Sequence, residues 1–112
     1  MRANTHMRLY GVLVGIDHYR DARINDLAWS GSDARALHAL VQNGTHALDR
    51  VTHLFIDANA TKLAILKVVG EDIARLAEED DFVLLFFAGH GSPETCSRGC
   101  IRDGSSCFWT AF

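Results

Sequence analysis

One stretch limits the possible folds of this chain more than any other: Asp81-Phe82-Val83-Leu84-Leu85-Phe86-Phe87-Ala88-Gly89-His90-Gly91. From Phe82 to Phe87 every residue is β-branched, aliphatic or aromatic, and the run opens on a carboxylate and closes on a histidine between glycines. A short continuous apolar run with such boundaries reads as a strand buried on both faces, as in parallel sheets. His90 then sits at its carboxyl end, the edge of an open α/β sheet where ligands and catalytic groups collect. The flanking glycines allow a sharp turn and a close approach to the imidazole. An ordinary tight turn with an exposed histidine is the competing reading.

The rest of the chain supplies the partners such a strand needs. Leu9 to Ile16 is a second near-continuous apolar run and reads as a central parallel strand. It empties into Asp17 to Asp26, a polar loop long enough to form part of a site or to serve as a solvated connector. Ser30-Gly31-Ser32-Asp33 opens a helix that either serine could cap, with Gly44 as the stop. Ala34, Leu37, Leu40 and Val41 form its apolar face, and His38 is expected at the surface. Val51 to Ile56 is shorter and more polar, a strand nearer an edge. Thr61 caps a longer helix to about Glu78, striped by Ile65, Leu66, Val69, Ile73, Leu76 and Ala77. Gly70 inside that helix implies a close packing contact. Glu78 to Asp81 opposes the helix dipole and reads as a solvated connector.

Strand, helix, strand, helix, strand predicts an α/β fold: a doubly wound, mainly parallel three-stranded sheet covered on both faces. Residues 1–92 form this domain, and residues 93–112 are an irregular tail rich in Ser, Gly and Cys. A chain of 112 residues holds one small core. Its net charge of -3 gives no electrostatic case for nucleic acid or an anionic membrane. The N-terminus is too polar for a signal peptide and no apolar run matches a membrane span, so a cytoplasmic location is expected. Cys96, Cys100 and Cys107 are odd in number and confined to the tail, which argues against a disulfide framework. A zinc site from His90 and these cysteines would rest on a single Cys-x3-Cys pair, which is weak, so no metal is expected. Gly11-x-x-x-Gly15 lies within a strand and lacks the Lys-Ser/Thr of a phosphate loop.

The segments Val12-Leu13-Val14-Gly15-Ile16-Asp17, Leu27 to Asp33 and Phe86-Phe87-Ala88-Gly89-His90-Gly91 together resemble the large catalytic subunit of caspase-like cysteine peptidases, most of all the bacterial metacaspase-like branch. The resemblance spans roughly residues 8 to 92. It implies a three-layer fold and a cysteine-histidine dyad acting on a polypeptide substrate. His90 would be the dyad histidine and Gly91 would lend its backbone N–H to the oxyanion hole. Asp33 would be the acidic residue of a pocket for Lys or Arg before the cleaved bond, though Ser30-x-x-Asp33 equally matches a helix capping box. No cofactor is implied by the residues; calcium activation would follow from the resemblance alone.

The chain also departs from the pattern. Ser30 stands where metacaspases often carry a cysteine, and Ala88 where they carry a serine. Caspases place the nucleophile about 50 residues beyond the histidine, whereas residues 91–112 are all that follow here. None of the three cysteines lies in an Asp-x-Cys setting. The expectation is a truncated or frame-shifted form, inactive alone, in which family sequence ends near Pro93. Residues 82–87 would then be an open, apolar sheet edge, able to pair with itself or with a partner strand. That edge supports the alternative of a non-catalytic interaction module.

Overall fold

The computed structural model describes residues 7–44 and 49–91. Three strands, β1 (Arg8–Gly15), β2 (Asp49–Ile56) and β3 (Phe82–Ala88), form one sheet in the order β2-β1-β3. Both pairings are parallel, with Val12 opposite His53 on one side and Leu85 on the other. The parallel α/β sheet expected from the apolar runs is therefore present. Within the described sheet only β1 has a neighbour on each side, whereas β3, whose unbroken apolar run reads as buried on both faces, lies at an edge.

Side chains alternate across β1, and the two faces meet different helices. Tyr10, Val12, Val14 and Ile16 join Ala60, Ile65, Val68 and Ile73 in a buried core. Each aliphatic side chain so buried contributes on the order of 2 kcal/mol. The buried Tyr10 hydroxyl is satisfied by donating to the Leu76 carbonyl at 3.3 Å. On the other face lies helix α1 (Ser30–Gln42), so tightly seated that a Cβ on Gly15 would come 2.4 Å from the Ser30 carbonyl oxygen.

Several local expectations are corrected. Neither serine precedes α1: Ser30 is its first residue, Trp29 holds the cap position, and the orphan N–H groups go elsewhere, as described below. Gly44 does lie just past the helix end at Gln42. Leu40 is not on the buried face but 68% exposed. His38 is half-buried, and its Nε2 lies 3.0 Å from the Thr52 hydroxyl of β2, so this polar pair tethers helix to strand.

The second helical region begins as expected, with the Thr61 hydroxyl accepting from the Ala64 N–H at 3.1 Å. It is not one regular helix. An α-helical start, α2 (Lys62–Lys67), passes into a π-helical stretch (Val68–Ile73) and closes on the turn α3 (Ala74–Leu76). Val68, three residues after the buried Ile65, faces the core, while Leu66 in α2 and Leu76 beyond the wider turn are exposed. Gly70 falls in that stretch with open space around it, so no close contact accounts for the glycine. Asp81 is a staple rather than a solvated connector. Its carboxylate accepts the Arg8 and Glu78 N–H groups, each at 2.8 Å, and ties the starts of β1 and β3 together.

β3 forms an edge of the described sheet, with Phe82, Val83 and Leu85 all exposed. Among the described residues no helix is long and apolar enough to cross a membrane. The expected tail, with Cys96, Cys100 and Cys107, lies outside the described residues.

Candidate functional site

Parallel strands bring all their carboxyl ends to one edge, and here that edge is built on two carboxylates. β1 and β2 both run out of an apolar pair into an aspartate, Ile16-Asp17 and Ile56-Asp57. Asp57 adopts a left-handed backbone, φ 48°, a region that aspartate tolerates better than most residues. From there its Oδ1 accepts the N–H of Asp17 at 2.8 Å and of His18 at 3.2 Å.

Asp17 in turn caps α1 from a distance. Its two carboxylate oxygens accept the Ser30 and Gly31 N–H groups at 2.8 and 3.1 Å, which meets the unsatisfied donors of the first helical turn. The helix N-terminus is thereby fixed to the end of β1 by a tertiary contact, and the Ser30-x-x-Asp33 capping box is excluded. Asp33 sits exposed in that first turn, and its carboxylate is not consumed in closing the helix.

The loop between Asp17 and Leu27 is closed by a Leu27 N–H bond to the Asp17 carbonyl at 2.8 Å. Within it, His18 Nδ1 pairs with Asp26 Oδ2 at 3.1 Å, and hydrogen bonding to Asp26 raises the pKa of the imidazole. Asp21 binds the Arg23 backbone and guanidinium, which holds its pKa at about 2. These contacts make the loop a formed structure rather than a slack connector.

His90 meets this loop at three points. Its backbone N–H donates to the Tyr19 hydroxyl, and the two rings lie 5.3 Å apart at a tilt of 53°. Its Nε2 lies 2.9 Å from the Asn25 carbonyl oxygen. A carbonyl only accepts, so Nε2 carries the hydrogen and the lone pair of the neutral ring lies on Nδ1. Burial raises the pKa of Tyr19, which keeps it a neutral hydroxyl near pH 7. A Cβ at Gly89 would stand 2.7 Å from the Tyr19 hydroxyl oxygen, so a side chain there would displace that hydroxyl. Gly91 follows His90 in the chain and is exposed.

Tyr19 also forms part of a cleft of about 700 Å³ whose wall includes Ile16, Asp57, Ala60 and Leu63. His90 and the Asp17–Asp26 loop, both singled out in the sequence, are thus brought together, while Asp33 stands at the helix start on the same carboxyl edge. Tyr19, Asn25 and Asp57 escape sequence reasoning. Tyr19 and Asn25 sit inside a loop marked only by its length, and Asn25 acts through its backbone. For Asp57 the one available signal was that its strand, like β1, ends on an aspartate.

No family model, no curated protein and no solved structure matches this chain. Fold and site together define a parallel α/β sheet whose carboxyl edge holds the His90 imidazole with Nε2 on the Asn25 carbonyl.

Proposed function

We propose that this chain carries the histidine-bearing part of a caspase-like cysteine endopeptidase that cleaves after Arg or Lys. The observation that carries the reading is the Nε2 contact of His90 with the Asn25 carbonyl at 2.9 Å. Thiol chemistry needs an imidazole that accepts a proton on one nitrogen while the other is braced. Here Nδ1 would take the proton from a cysteine thiol as the sulfur attacks the scissile carbonyl, then deliver it to the leaving amine. Nε2–H would stay on Asn25 throughout, where the carbonyl dipole stabilises the transient imidazolium. The Gly91 N–H would face the developing oxyanion. Asp33, freed from capping by Asp17, would pair with the guanidinium or ammonium of the substrate. The order β2-β1-β3, with helices on both faces and the histidine ending β3, supports a caspase-like three-layer arrangement.

In this reading the 112 residues are inactive alone, because Cys96, Cys100 and Cys107 lack the Asp-x-Cys setting. Fluorogenic peptides ending in Arg or Lys test it directly. The chain itself should give no turnover, whereas a chain extended by the reading frame that restores a strand and an Asp-x-Cys segment should cleave both, and His90→Ala should abolish cleavage. If an extended chain bearing such a segment cleaves neither peptide, the peptidase reading is lost. Cleavage that survives His90→Ala sinks the dyad.

A second reading is favoured by the β3 edge, where Leu85 is 59% exposed on an uncharged strand. Unblunted edges of this kind pair with other strands. A non-catalytic module that binds a partner strand, or a second copy, would use it. Leu85→Lys should then abolish association measured by light scattering; unchanged association would remove this reading.

A further inference from the structure

Imidazole orientation is a soft variable. The χ2 torsion of histidine is broad and roughly two-fold, so a ring free to flip carries Nδ1 to the place of Cδ2 and Nε2 to the place of Cε1. A flip moves Nε2–H off the carbonyl it faces, so one such bond holds the ring only where something else restrains it. In this protein that second constraint comes from one residue of the β1 exit loop.

Tyr19 restrains His90 at separate points. Its hydroxyl accepts the His90 N–H and so fixes where the backbone of residue 90 lies, while its ring stands 5.3 Å from the imidazole and limits rotation. The absence of a side chain at Gly89 belongs to the same device, because a Cβ there would occupy space within 2.7 Å of the hydroxyl oxygen. Tyr19 itself is held by the core it packs against and by the neighbouring His18 N–H bond to Asp57. It is therefore anchored independently of His90.

We infer that Tyr19 is a positioning residue for His90, holding the imidazole so that Nε2–H remains on the Asn25 carbonyl and Nδ1 is the basic nitrogen. The purpose of that arrangement rests on the peptidase reading; the arrangement itself does not.

The test uses the full chain labelled with nitrogen-15 and needs no catalysis. In the native protein above the histidine titration, ring-nitrogen spectra should show His90 in the Nε2–H form, with its signal assigned by His90→Gln. Tyr19→Phe keeps the ring but removes the acceptor. It should speed exchange of the His90 amide about tenfold, as loss of one hydrogen bond implies. It should also move the ring signals toward the average of the two tautomers. Gly89→Ala, which displaces the hydroxyl, should have the same effect on the amide. The amides of Leu13 and Val14 in β1 should be unaffected in both variants. Unchanged tautomer and exchange in Tyr19→Phe overturns the inference, and so does faster exchange spread equally through β1, which would mark a merely structural role. Failure of a thiol-bearing extended chain to cleave peptides would instead strike the peptidase reading and leave these two signals where they are.

Discussion

Asp57 Oδ1 lies 2.8 Å from the Asp17 amide, so a carboxylate at the end of β2 sets the path of the chain leaving β1. Asp17 passes that constraint on to α1 through its own carboxylate. Two residues forty apart in sequence thus fix the loop that holds Tyr19 and Asn25 against His90.

Replacing Asp57 by alanine removes both bonds and places a less tolerant residue at positive φ. A loss of about 2 to 4 kcal/mol in unfolding free energy is expected. Asp57→Asn, which keeps an acceptor and tolerates the left-handed region, should lose under about half of that. Urea unfolding of the two variants measures the difference; equal losses would show that only the charge matters.

Asp17→Ala should cost about 1 to 2 kcal/mol, the ordinary effect of an N-cap. Because the cap comes from a distant segment, the loss should also appear as faster amide exchange at Ser30 and Gly31. Ser32→Ala should be close to neutral in the same assay, and a large effect there would contradict the capping geometry.

Gly15→Ala places a methyl 2.4 Å from the Ser30 carbonyl oxygen and 2.8 Å from the Ala34 Cβ. Backbone cannot yield as a flexible side chain can, so the helix must move off the sheet. A destabilisation of about 2 to 3 kcal/mol is expected from such overpacking. Gly70→Ala meets nothing within 4 Å and should be tolerated. Thermal unfolding of the pair decides whether glycine is needed at each site.

His18 gives the loop a pH dependence. Hydrogen bonding to Asp26 raises its folded pKa above the ordinary value near 6.5. Its contribution is therefore fully present below the unfolded pKa and is lost as pH rises through the raised folded value. Asp21 has the opposite sign: its folded pKa near 2 means that its contribution holds above the unfolded value and fades as pH falls toward 2. Both sites are exposed, so the effect is local. An NMR titration should show the His18 midpoint returning to its ordinary value in Asp26→Asn; an unmoved midpoint would remove Asp26 as the cause.

What the amino-acid order determined by itself was the run of elements and the parallel sheet, because continuous apolar runs and helical periodicity are local signals that survive without tertiary context. His90 was legible for the same reason, set off between glycines at the end of the strongest run. The outer ends of the helices were less so: Leu76 lies beyond the π-helical stretch at Val68–Ile73, and periodicity counted at 3.6 residues per turn cannot anticipate a wider turn. Only the tertiary structure decided which groups surround the imidazole. The Asn25 carbonyl is a backbone atom with no residue signature. The Asp17 cap reaches over 13 positions and the Asp57 bond over 40. Contacts of that separation exist only once the sheet has brought the strand ends together at one edge.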